Sequence, residues 1–229
     1  MMNFNKQLPK KLYKFMEPQF LQQIEKHNRF YINFLGNYKE GELGSEVGDD
    51  NEGTLRTSFT IDNYTFSKTS NNKNPLFETL FHTQQNLIEL NGNNVTLQNV
   101  TIQSNNIDNN YFVFCCCTDN NKSLNQHFGQ SLLIINDVNN FIKCINAELL
   151  KYGIEMIIAN KCIYLPNSEV KISPDIKAFY YHYPPLVKEN RYSYQNEFKI
   201  LWKYNNNKKI TKPLSIKCKE AIKYCSFEY

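Results

Sequence analysis

The sequence predicts an α+β fold in one domain over residues 1–229, rich in strands and carrying a few helices. Three observations lead there. A chain of 229 residues is within the range of a single domain. Apolar residues make up 41% of it and aromatic residues 14%, enough to fill a sizeable core. Most of the apolar patterning has the period of two that marks strands, and the helical period is found in only two segments.

Leu12-Tyr-Lys-Phe15 reads as a strand. Pro18, favoured at the first helical position, opens a helix with Phe20, Leu21 and Ile24 near one face. Phe30–Leu35 is a second strand, and Gly36–Gly53, rich in glycine and acidic residues with no apolar period, is a loop that is lid-like between Gly41 and Gly53. Leu55–Phe66 alternates as a strand, and Asn71–Pro75 makes a turn. From Asn86 the pattern is β, with Leu87, Ile88, Leu90, a turn at Asn91–Asn94, then Val95, Leu97, Val100 and Ile102. After an Asn-rich turn comes Tyr111–Cys117, so hairpins or a meander are expected.

Leu132–Ile135 suits a central strand. Asp137 or Asn139 caps a helix over Asn140–Tyr152 with Phe141, Ile145 and Leu149 in one stripe, and Gly153 ends it. Strands follow at Glu155–Ala159 and Lys161–Leu165, split at Asn160, and a Tyr-rich connection covers 166–185. In the last clear strand, Gln195–Tyr204, Phe198, Ile200 and Trp202 alternate with Glu197, Lys199, Leu201 and Lys203. Pro213–Tyr229 closes the chain with a strand or short helix.

Composition limits the chemistry. The net charge of +4, from 26 basic and 22 acidic residues, is too small to imply a nucleic-acid partner by bulk electrostatics. Seven cysteines, three of them consecutive at Cys115, Cys116 and Cys117, and an N-terminus without the apolar run of a secretion signal point to free thiols in a reducing, cytoplasmic setting. No run is long and apolar enough for a membrane helix. Adjacent strand cysteines point to opposite faces and cannot offer three tetrahedral ligands, so no metal site is expected. Phosphate-loop, dinucleotide-fold, zinc-protease and hydrolase-elbow motifs are missing. His27, His82 and His182 have no catalytic spacing to Cys, Asp or Ser and read as structural or surface residues.

The segment Arg191–Ile200 carries the most information. In a strand, Gln195 and Glu197 lie on one face about 7 Å apart. A carboxylate there can hold a ribose hydroxyl and stabilise an oxocarbenium-like centre while the amide orients a nucleophile. The alternative is a glutamate on the solvated face of an edge strand. His127-Phe128-Gly129 is a second candidate. The histidine can stack on or hydrogen-bond a nicotinamide and glycine admits close backbone approach, whereas a plain loop with Phe128 as a core plug explains the same residues.

Gln195-Asn-Glu197 resembles the Gln-x-Glu motif of mono-ADP-ribosyltransferases of the Arg / Ser-Thr-Ser / Gln-x-Glu class. Leu12-Tyr-Lys-Phe15 stands where that family has its first strand and a basic NAD contact, and Phe114-Cys-Cys-Cys-Thr118 where a middle strand bears Ser-Thr-Ser. The layout is also similar to uncharacterised bacterial abortive-infection-type proteins, with an acidic Asp49-Asp-Asn-Glu-Gly53 loop and a late Glu-Phe-Lys strand. Lys14 replaces the arginine, and Thr118 is the one hydroxyl left of the Ser-Thr-Ser.

The resemblance implies two small packed sheets with NAD between them. It implies catalytic Glu197 and Gln195, cofactor contacts from Lys14 and Thr118, beside which His127, Phe128 and Gly129 stand as the separate candidate contacts above, and a toxin or phage-defence role. A protein or nucleic-acid acceptor and an antitoxin or inhibitor partner go with that role. Two further readings stay open. One is a non-enzymatic binding protein or inhibitor with a degenerate NAD site. The other is a nucleic-acid-binding module using Phe179–Tyr183 with Lys188, Arg191, Lys199, Lys203, Lys208 and Lys209.

Overall fold

The structure is a computed structural model and describes residues 8–38, 52–67, 94–166, 169–171 and 183–229. The expected lid at Gly41–Gly53, except its last two residues, lies outside the described residues. So do the Asn71–Pro75 turn, the strand residues 87–90, His82, His182 and nearly all of Phe179–Tyr183.

The fold is mixed and β-rich. Eight strands form one large antiparallel sheet: β1 (Leu12–Met16), β2 (Arg29–Phe34), β5 (Phe112–Cys117), β6 (Ser131–Ile135), β7 (Ile154–Lys161), β11 (Glu197–Tyr204), β12 (Leu214–Lys217) and β13 (Cys225–Glu228). Beside it lie a three-stranded sheet and a parallel pair. The three strands are β3 (Thr54–Ser67), β4 (Asn94–Ile107) and β9 (Glu169–Lys171), and the pair is β8 (Ile163–Leu165) with β10 (Val187–Glu189). The observed arrangement thus differs from the expected two small packed sheets. One reason is that β5, with apolar side chains on both faces, is buried enough to pair along both of its edges.

That double pairing forks the sheet. Along one edge β5 pairs with β11 over Phe112–Cys117. Along the other, β2 takes the start of β5 (Asn33 opposite Val113) and β1 takes its end (Tyr13 opposite Cys117). Between β1 and β2 runs the helix α1 (Pro18–His27), with Pro18 in its first turn and Leu21 and Ile24 buried. Its Asn28 cap is left-handed and turns the chain into β2. In the gap of the fork the Cys115 carbonyl accepts a hydrogen bond from Lys14 Nζ at 2.8 Å, so a side chain replaces the missing strand partner.

Both faces of the sheet are covered. A single-turn helix α2 (Asn125–Phe128) leads into β6, and a longer helix α3 (Val138–Leu150) follows it. On one face, α1 and α3 bury Leu12, Phe30, Phe112, Phe141, Ile145, Ile200 and Trp202. Asp137 caps α3 as the sequence predicts, accepting from the Asn140 N–H at 3.1 Å. The Trp202 indole N–H donates to Asn146 Oδ1 at 2.6 Å. On the other face Leu55, Tyr111, Val113, Leu186, Val187 and Leu201 form a second cluster. It covers what the alternating pattern of β11 marks as a solvated face, and β11 is an inner strand between β5 and β7, not an edge.

Boundaries differ elsewhere. The strand predicted to break at Asn160 runs through it to Lys161 and breaks at Cys162. The strand expected at Val95–Ile102 continues to Ile107, paired with β3 along its length. The C-terminal segment supplies β12, a short helix α4 (Lys219–Ile222) and β13. Among the described residues no helix is long and apolar enough to cross a membrane.

All seven cysteines are thiols. Burial pushes the Cys115, Cys117 and Cys225 thiols up to about 12, and Cys116 and Cys162 well above the ordinary range. Thiolate, the reactive form, is scarce at such sites. Burial raises the Cys144 thiol too, but it is only half-buried, so non-reducing mass spectrometry with iodoacetamide at pH 8 is expected to show no disulfide and alkylation first at Cys144. The other sites should react only after unfolding.

Candidate functional site

A charged cluster lies under the fork of the sheet. Glu197 opens β11 opposite Cys117, and Lys199 follows opposite Cys115 on the same face. The pair β8 and β10 lies against that face, with Tyr164 and Lys188 as register partners. The Tyr164 hydroxyl accepts the Glu197 N–H at 2.7 Å. Lys188 Nζ stands 3.1 Å from Glu197 Oε2, 3.2 Å from Gln195 Oε1 and 3.9 Å from Glu52 Oε2. Lys199 Nζ is 3.6 Å from Glu197 Oε2, bonds the Glu52 carboxylate, and donates to the Pro185 carbonyl at 2.8 Å. The Cys162 thiol donates to Glu197 Oε2 at 3.7 Å.

These groups are buried, Lys199 completely and Gln195 to 4% exposure. Burial by itself would raise the Glu197 carboxyl, but the ammonium groups of Lys188 and Lys199 outweigh it and hold the group at about 2. Burial likewise opposes the charge on both lysines, and Glu197 and Glu52 override it, so both are raised. Two cations and two carboxylates therefore coexist as a neutral, fully charged set.

A cavity of about 240 Å³ opens onto this set, lined by Lys14, Tyr38, Glu52, Phe128, Lys188, Gln195 and Glu197 among others. Four residues predicted from sequence thus meet: Lys14, Phe128, Gln195 and Glu197. Gln195 arrives by another route than expected. It ends a 3-10 turn, Asn190–Gln195, and left-handed Asn196 (φ 44°) separates it from β11. The shared strand face is therefore a correction, and it is Lys188 that brings the two side chains together. Lys14 donates to Cys115 O and lies over the Phe114 ring at 4.8 Å, and among the described residues its ammonium has no carboxylate partner.

The remaining predicted contacts lie elsewhere. Thr118 Oγ1 donates to the Asn196 carbonyl at 3.3 Å, steadying the turn before Glu197, and does not line the cavity. His127 is exposed, its ring 6.4 Å from that of Tyr194. Gly129 does admit a close backbone, but the backbone is that of Met16 and Glu17, not a ligand's, at a φ of 113°.

Sequence reasoning missed Tyr164 and Cys162, had Glu52 only in the Asp49–Gly53 loop, and offered Lys188 and Lys199 as nucleic-acid contacts, whereas both are buried against Glu197 and Glu52. A Glu-x-Lys alternation between apolar residues in a strand was the available signal for Lys199. Glu52 and Lys188 become neighbours only through the tertiary fold. No group of His, Cys, Asp and Glu among the described residues could hold a metal ion. Comparison with protein-family models, curated proteins and solved structures finds no match to this chain.

Proposed function

We propose that the cavity over Glu197 binds NAD and that the chain is a mono-ADP-ribosyltransferase. The observation that supports this reading is the meeting of Lys14, Phe128, Gln195 and Glu197, from distant parts of the chain, on one cavity wall. In the reaction the bond between the nicotinamide nitrogen and ribose C1′ breaks, and nicotinamide leaves with the bonding electrons. The acceptor's nucleophilic atom bonds C1′ and releases its proton to solvent. Gln195 orients the acceptor, Lys14 meets a phosphate oxygen as a point charge, and Glu197 faces the positive charge that grows on the ribose.

One observation favours a second reading. Lys188 and Lys199 already share the Glu197 carboxylate, so little net negative charge is left for a ribosyl cation. On that reading the chain keeps an NAD-type site as a binding protein or inhibitor, without turnover.

Calorimetric titration of the whole chain with NAD, followed by a nicotinamide-release assay, separates the two. Binding with release supports transfer, and Gln195→Ala is then expected to weaken transfer more than hydrolysis. Binding without release supports the second reading. Neither binding nor consumption at millimolar NAD ends both.

A further inference from the structure

The outward face of the paired strands β2 and β12 carries side chains that neither the core nor the cavity over Glu197 uses. Lys217 stands directly opposite Arg29, and Ser215 directly opposite Tyr31. Directly opposed residues of an antiparallel pair project to the same face, where like charges repel. Arg29 and Lys217 are both exposed, and among the described residues neither has an ion-pair partner. Among the described residues, then, these two adjacent cations are left without a neutralising anion.

Aromatic rings stand beside them. Tyr31 is 52% and Phe20 of α1 53% exposed, large values for side chains of their size. Both line a cavity of about 540 Å³ in the fork of the sheet, together with Arg29, Ser215 and Lys14, and with Glu17 as a carboxylate on its wall. The strip also leads somewhere. Arg29, Tyr31 and Asn33 share one face by strand parity, Asn33 pairs with Val113, and Val113 pairs with Leu201. They therefore lie on the same face of the large sheet as Glu197 and Lys199. Lys14 lines this cavity and the smaller one over Glu197.

We infer that this strip binds single-stranded nucleic acid, with phosphates at Arg29 and Lys217 and bases stacked on Tyr31 and Phe20. Cations alone would suit an acidic peptide equally well. Exposed rings interleaved with cations suit a polymer that carries both a flat face and a phosphate in every unit. In naming the acceptor for the cleft, the inference rests on the ADP-ribosyl-transfer reading above; the binding itself does not.

The test uses the full chain and a fluorescein-labelled thymidine oligonucleotide of about a dozen nucleotides, within the usual footprint of such platforms. Anisotropy is followed across a salt series without NAD. Binding is expected to weaken linearly in log salt, and the double variant Arg29→Ser, Lys217→Ser should flatten the slope by about 1.4, or about 0.7 for each phosphate no longer neutralised. Tyr31→Ala should weaken binding about tenfold with the slope unchanged. Lack of binding at low salt, or an unchanged slope in the double variant, overturns the inference. Tighter capture of a poly-glutamate peptide than of the oligonucleotide overturns it in favour of an acidic-peptide surface. The NAD titration is read without oligonucleotide, so failure of either reading is visible separately.

Discussion

Glu197→Gln is expected to lower stability by roughly 3–5 kcal/mol in urea unfolding at neutral pH, the scale of breaking a buried ion pair by removing one partner. The amide is close in shape to the carboxylate, but Lys188 and Lys199 would then share only Glu52. The pH profile gives a second readout. The carboxyl titrates at about 2 folded against an ordinary value of 4.5, so its contribution is whole above pH 4.5 and is lost as pH falls toward 2. In the variant this acid-side loss should shrink. A glutamate that only served chemistry would leave both measurements near those of the wild type. For the same reason, loss of NAD-dependent activity in this variant has to be read beside its folded fraction. Gln195→Ala, which removes a neutral side chain, is the cleaner probe of the cavity.

Gly129→Ala is expected to cost about 3 kcal/mol or more, combining backbone strain with overpacking. At φ 113° and ψ 158° the backbone is in a region that side chains avoid. An added Cβ would stand 2.3 Å from the Met16 carbonyl carbon and 2.4 Å from the Glu17 nitrogen. Neither atom belongs to a flexible side chain, so β1 itself would have to shift. The Ser131 hydroxyl, which donates to the Met16 carbonyl at 2.6 Å, reports that shift. Amide exchange along β1 and β6 should accelerate in this variant while α3 keeps its protection. An unchanged melting temperature would show that the turn relaxes more easily than its geometry indicates.

Much of the framework was legible because local signals and tertiary needs agreed. Pro18 and Asp137 start their helices, and the runs at Leu12, Phe112 and Leu132 become paired strands. Gln195 was misplaced because alternation continues smoothly back through Asn196, and nothing local says that this asparagine turns left-handed. The burial of Lys199 was hidden for a different reason. Its strand reads as one apolar and one polar face, and only the folding of Leu186 and Val187 over the second face closes it. The cavity was legible in four residues and illegible in the pairing that holds them, since Glu52 is far from Glu197 in sequence and Lys188 belongs to a different sheet.

The fork at β5 also bears on how fast the chain can reach its native state. Three strands claim this one, and they come from the beginning of the chain and from near its end: residue 13, residue 33 and residues 197–202 all register against 112–117. Cys115 lies where the two N-terminal strands diverge, and the late strand completes the opposite edge. Loops that long must close before their contacts repay the lost chain entropy, which places the molecule among slow folders for its size. During synthesis β1, β2 and β5 are all made well before β11, so one edge of the central strand stays unpaired until residues 197–204 emerge.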